Sequence, residues 1–213
     1  MLGRRQFLKL LGGLVGPDLL RGMPVRFVQN ERFVSTDLGL TFCKPHGWVF
    51  ISPEQLALET ADIGSAHDRL DLDPSVMNIS KEPWSTTPKR FTPGINVWSY
   101  SNKMFHDLDH MVQWTRAGHA MYSDFKITKD VCAITLAGCP AFDFVAEFNF
   151  DTLGFDRPVP VRDRFICVAQ GNRFLLITVC DSPQTGKDEG PAFSSFLQSL
   201  VIAEPADTSP HKG

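Results

Sequence analysis

Two histidines one helical turn apart, His106 and His110, with Asp107 and Asp109 among them, form the pattern in this chain closest to a metal site. Imidazoles at i and i+4 share a helix face and can hold one cation between them. A tight zinc site takes three or four protein ligands, so the pair needs a carboxylate from elsewhere, while aspartates at a helix start already have a role with the dipole. His46 stands in a Pro45-His46-Gly47 turn beside Trp48, where a general base can be presented, yet turn geometry alone accounts for Pro45 and Gly47. Ser65, His67 and Asp68 supply the letters of a triad without a G-x-S-x-G elbow to hold the serine. Neither a G-x-x-x-x-G-K-[ST] loop nor a strand-borne G-x-G-x-x-G occurs, which removes the ordinary nucleotide-binding signals. No catalytic, cofactor-binding or metal residue is assigned, and no cofactor is expected.

Five cysteines, Cys43, Cys132, Cys139, Cys167 and Cys180, form no C-x-x-C pair, and their odd number leaves at least one thiol unpaired. A two-residue turn at Gly171-Asn172 sets Cys167 opposite Leu176 and too far from Cys180 for a disulfide. Both read as small buried hydrophobes. Trp84, in a Pro/Ser/Thr loop, and Trp114, well round a helix from its apolar stripe, read first as aromatics packed under loops, with exposure as partner contacts the alternative.

The 213 residues suit one domain, and 43% hydrophobic with 21% charged residues is ordinary globular composition. A formal net charge of -3 gives no support to nucleic-acid binding, and no apolar run approaches the roughly 20 residues of a membrane span. The N-terminus differs in character. Gly3-Arg4-Arg5-Gln6-Phe7-Leu8-Lys9 resembles the bacterial twin-arginine export motif in Arg4, Arg5, Phe7 and Leu8, and a glycine-diluted apolar stretch runs from Leu10 to Gly16. Pro17-Asp18 ends that stretch and no A-x-A-like cleavage site follows; a basic amphipathic segment of a cytoplasmic protein is the other reading. Residues 1–30 are accordingly taken as signal and linker, 31–205 as one domain, and 206–213 as a disordered tail.

Several segments must position these residues. Phe142, Phe144, Ala146, Phe148 and Phe150 alternate with Asp143, Val145, Glu147 and Asn149, the period of a strand with one face in a core. Arg164–Ala169 and Arg173–Cys180 form a hairpin in which Phe174, Leu176 and Cys180 point one way and Leu175, Ile177 and Val179 the other. Both faces then need cover, which predicts helices on each side of the sheet. Leu108, Met111, Val112 and Thr115 predict a helix that Gly118 stops, and Phe193, Phe196, Leu197 and Leu200 predict a C-terminal one. A shorter helix is predicted to begin at Ser52-Pro53-Glu54-Gln55. Further strands are expected around residues 39–43, 48–51, 76–81, 95–100, 125–129 and 134–136, with loops at 60–74 and 151–160. Turn-linked neighbours favour antiparallel pairing.

In order along the chain, Gly39-Leu40-Thr41-Phe42 with Pro45-His46-Gly47-Trp48, then Thr92-Pro93-Gly94-Ile95-Asn96-Val97, Leu136-Ala137-Gly138-Cys139-Pro140-Ala141 and Gly171-Asn172-Arg173-Phe174 resemble the landmarks of the PsbP-like superfamily. That superfamily includes a eukaryotic Ran-binding protein of the Mog type and many bacterial envelope proteins. The resemblance spans residues 33–203. It implies an α+β fold, an α/β/α sandwich about a mostly antiparallel sheet, and binding or accessory roles rather than enzymology; function does not follow from fold. The resulting expectation is a non-enzymatic binding or accessory protein of the bacterial envelope or periplasm, engaging a protein or small ligand. The alternatives are a cytoplasmic chaperone-like binder of secreted effectors and a metal-dependent hydrolase using His106, His110 and a carboxylate.

Overall fold

The computed structural model describes residues 26–51, 76–82, 91–150, 157–185 and 188–203. The predicted helix at Ser52, the loop at 60–74, the export motif, Trp84 and the 206–213 tail lie outside them.

The alternating segment is the middle of a long ribbon. β8 (Cys139–Phe150) pairs on one side with β7 (Ser123–Leu136) and on the other with β9 (Val159–Gln170), and β9 pairs with β10 (Arg173–Asp181). β10 continues to β6 (Gly94–Ser101), β5 (Met77–Ser80) and β4 (Val49–Ile51), which completes a seven-stranded sheet. All pairings among the described residues are antiparallel. At the hairpin Gly171 has φ +54, and Cys167 lies opposite Leu176 as predicted; all five cysteines are free.

Both faces of β10 are buried. Phe174 and Leu176 join Phe144, Ala146, Phe165 and Cys167 under α1 (Leu108–His119), which buries Met111, Val112 and Thr115. Leu175, Ile177 and Val179 join Ala141, Ile166 and Val168 under α2 (Gly190–Ser199), which buries Phe196. On this second face the cover is more than a helix. β1 (Arg26–Gln29), β2 (Arg32–Ser35), β3 (Leu40–Cys43) and β11 (Val201–Ile202) form a four-stranded sheet that adds Phe33, Leu40, Phe42 and Ile202 to the same core. Gln170 ties the layers, its Nε2 donating to the carbonyls of Leu38 at 2.5 Å and Ala203 at 2.7 Å. The α+β sandwich is thus present, with one layer part helix and part sheet.

Four expectations are corrected. Strand structure already begins at Arg26, inside the segment taken as linker, because the Arg26–Gln29 backbone pairs with Arg32–Ser35. The segments at 125–129 and 134–136 are one strand whose register shifts three times, so its alternation breaks without the ladder ending. The 151–160 loop ends early, since Val159 and Pro160 pair with Phe150 and Asn149. Gly118 does not stop α1, which runs on to His119 and caps at Ala120. A Cβ at Gly118 meets nothing within 4 Å. Gly118→Ala is therefore expected to raise unfolding free energy by about 0.5–1 kcal/mol, the helix-interior difference between the two residues, as read from the urea midpoint.

Candidate functional site

The face of the large sheet beneath α2 changes chemistry along its strands. Its rows run from apolar, Ala141 opposite Val168, to mixed, Val145 opposite Arg164 opposite Val179, and end in a charged row. In that last row Lys126, Glu147, Arg162 and Asp181 stand side by side on four neighbouring strands. The i, i+2 spacings Arg162/Arg164 and Val145/Glu147 put these side chains on one face because strand period is two. A groove of about 410 Å³ lies between this half-sheet and the head of α2, lined by the cations Lys129, Arg162 and Arg164, the carboxylates Glu147, Asp181 and Asp188, and apolar Val145, Val179 and Phe193. That is the size of an ordinary small-ligand site.

Buried carboxylates with cations above them build the groove floor. Arg164 donates from Nε (2.8 Å) and Nη2 (3.1 Å) to Asp143, which also accepts from Lys129 Nζ at 2.6 Å. Arg162 donates from Nε (3.1 Å) and Nη2 (2.7 Å) to Asp181. Side-chain exposure is 2% for Asp143 and 7% for Asp181, against 39% for Arg164, 48% for Arg162 and 50% for Lys129. Glu147 and Asp188 line the groove as well, so its three cations, Lys129, Arg162 and Arg164, face three carboxylates, Glu147, Asp181 and Asp188. Burial alone raises the Asp143 carboxyl, but hydrogen bonds from Arg164 and Lys129 outweigh it and hold the group below its ordinary value. Asp181 raises the Arg162 guanidinium in turn.

The other predicted residues lie elsewhere. His106 and His110 stack with ring centroids 4.3 Å apart at the head of α1, where Asp107 caps the helix by accepting from the His110 N–H at 2.7 Å. His106 Nε2 is also 3.3 Å from Asp107 Oδ2. His110 packs its ring edge on Phe105, so it belongs partly to the aromatic cluster and not to an open polar face. Among the described residues no three His, Cys, Asp or Glu side chains are grouped as for a metal ion. His46 is 97% exposed, its Nδ1 3.4 Å from Glu31 Oε1. Trp114 sits edge-on to Tyr100 and Phe105 and remains 36% exposed. None of these borders the groove, which the sequence reading missed.

On the opposite face of the same strands, Asp163 lies across from Cys180 and is buried. Its Oδ1 finds no hydrogen-bond partner among the described residues. Burial pushes this carboxyl up to about 7, against a weaker opposing hydrogen bond from Cys180; burial likewise raises Cys180 and, nearby, Tyr122. Among the described residues no helix is long and apolar enough to cross a membrane.

No family model matches the sequence, and no curated protein is similar to it at a significant level. Among solved structures, cyanobacterial PsbP (CyanoP) from Synechocystis sp. PCC 6803 superimposes with a TM-score of 0.51 at 11% identity, over 83% of this chain and 95% of that one. LpqN of Mycobacterium tuberculosis, described as involved in cell envelope biogenesis, gives 0.48 at 12% identity, over 77% and 83%. PA94 from Pseudomonas aeruginosa gives 0.46 at 15% identity, over 59% and 81%. The likeness to CyanoP shows the PsbP-like fold, and at this identity it shows the fold alone.

Proposed function

We propose that this chain is a non-enzymatic binding or accessory protein, exported to the bacterial envelope, that engages its partner through the groove at the head of α2. The observation that carries the reading is the layered charge of the floor. Buried Asp143 and Asp181 hold Arg164, Arg162 and Lys129 in place while leaving those cations half in solvent. Side chains fixed by bidentate pairs lose little further entropy on binding, which is what a recognition surface needs.

The test is affinity capture by the full chain from its native envelope, run beside Ser194→Trp. Ser194 is an exposed helix residue on the groove wall, so the indole obstructs the groove without touching the core. A partner retained by the parent protein and lost by the variant is the expected result; identical capture by both removes the groove from the account.

Export is proposed on the N-terminal motif. Arg4→Lys with Arg5→Lys keeps the charge and removes both guanidinia. The double variant is expected to stay in the cytoplasm while the parent chain fractionates with the periplasm, and equal distribution of the two would contradict export by this signal.

A further inference from the structure

We infer that Asp163 and Tyr122 form a proton-controlled latch: while the carboxyl is protonated the Tyr122 ring closes the core at the end of α1, and ionisation opens the turn that carries the ring. That turn is the three residues Ala120, Met121 and Tyr122, between α1 and β7. Met121 is 87% exposed, so the apolar anchor of the turn is the Tyr122 ring, stacked on Phe148 at 4.7 Å and tilted against Phe150 at 5.9 Å. Beyond the turn the β7 ladder is irregular, with a register shift between Ser123 and Lys126 and φ +56 at Asp124. Phe148 shares a face of β8 with Ala146, whose partner across the ladder is Asp163. The Tyr122 ring therefore covers the row next to the carboxyl. Burial raises the Tyr122 phenol and the charge of Asp163 adds to it, which puts the two groups within electrostatic reach.

Asp163 has no means of escaping its own burial. Its backbone is held on both sides, at Ala146 of β8 and Cys180 of β10, and Oδ1 finds no hydrogen-bond partner among the described residues. A protonated carboxyl tolerates that position, whereas an ionised one needs water. The titratable groups on this face are the Cys180 thiol on β10, Tyr122 in the turn and His119 on α1, whose ring meets Tyr122 at 5.9 Å; β8 presents Ala146 and Phe148. Burial lowers His119, so it supplies no counter-charge near neutrality. Arg162, Arg164 and Asp181 lie on the other face of the sheet. Water is admitted at least cost by lifting the one neighbour outside the ladder, the Tyr122 turn. In the closed form the carboxyl is pushed up to about 7, against an ordinary 3.8. The open form therefore binds fewer protons between those values, and opening gains about tenfold per pH unit across that window.

The experiment is amide hydrogen exchange of the full chain by NMR at about pH 4.5 and about pH 6.5, with each rate divided by the intrinsic rate at that pH. The reporters are the Ala120 and Tyr122 amides, which donate to the carbonyls of Arg116 at 2.9 Å and His119 at 3.0 Å. Phe165, in a strand paired on both sides, reports global unfolding. From the lower pH to the higher, protection of Ala120 and Tyr122 in the parent protein is expected to fall at least about tenfold more than in Asp163→Asn, a comparison that cancels His119. At both pH values it is expected to lie well below that of Phe165. Tyr122→Ala leaves Asp163 open to water and is expected to lower the protection of Ala120 and abolish its pH response. Equal responses in the parent and Asp163→Asn would take the carboxyl out of the latch. Exchange of Ala120 and Tyr122 at the normalised rate of Phe165 would mean global unfolding only, and an unchanged response in Tyr122→Ala would leave the ring no part; each overturns the inference.

Discussion

Asp163→Asn flattens the dependence of folding stability on pH between about pH 4 and pH 8, the window in which this buried carboxyl changes charge on unfolding. Its folded value is pushed up to about 7 by burial, from an ordinary value of 3.8. Because the folded-state value is the higher, the group's contribution is fully present below about pH 4 and is lost as pH rises through 7. A displacement of that size corresponds to a loss on the order of 4 kcal/mol by pH 8. Cys180 faces Asp163 on β10 and Tyr122 lies beyond α1, while Asp181 acts from the opposite face of the sheet; none of the three is a cation that could rescue the ionised form. Asparagine removes the charge but keeps a buried polar group, costing about 1–3 kcal/mol. The variant should therefore be the more stable protein at pH 8 and lose that advantage at pH 4.

His119 contributes with the opposite sign. Burial against Phe165 and Phe148 lowers it, despite the contact of its Nδ1 with the Thr115 carbonyl, so its contribution is present above about 6.5 and lost as pH falls. The difference between parent and Asp163→Asn, taken from urea midpoints at pH 4, 6 and 8, cancels the histidine. Parallel curves for the two proteins would show that water reaches Asp163.

The second large effect is expected at Asp143. Replacing both of its cations, Lys129→Met with Arg164→Met, leaves a carboxylate at 2% exposure with no compensating charge. Uncompensated buried charges of this kind cost about 3–5 kcal/mol. Adding Asp143→Leu to the double variant is expected to recover most of that loss, since an apolar side chain needs no cation. The pH response changes sign as well. In the parent protein Asp143 is held below its ordinary value, so it stabilises above about pH 4 and that stability is lost as pH falls further. With both cations gone only burial remains, and the penalty is relieved by acid. A double variant within about 1 kcal/mol of the parent would contradict the buried position assigned to this carboxylate.

Much of the sandwich was legible in the sequence because its central strands carry their own pattern. The Phe142–Phe150 alternation, the two-sided apolar run at Phe174–Cys180 and the Gly171 turn each fix a face or a register locally. What escaped was set at long range. Phe33 enters the core only because β2 pairs with β3, and Val201 and Ile202 become a strand only against Thr41 and Leu40. Gly118 ends no helix because α1 still gains from His119 packing on Phe165. The groove was half visible. Asp143, Glu147, Arg162 and Arg164 all sit on the polar parity of their strands, but only the β8–β9–β10 register brings Arg164 to Asp143 and Arg162 to Asp181. Trp114 and the His106/His110 pair drew notice as local features, and they lie away from that charged half-sheet.

A photo-crosslinking residue placed singly at Ser194 and at Gln113, in the full chain expressed in its native cell, addresses the binding surface most directly. Ser194 borders the groove, and Gln113 is exposed on α1 beside Trp114. A discrete adduct from Ser194, competed away by excess parent protein but not by Ser194→Trp, is the predicted result. Adducts from Gln113 alone would move the partner to the Trp114 face and contradict the assignment of the groove.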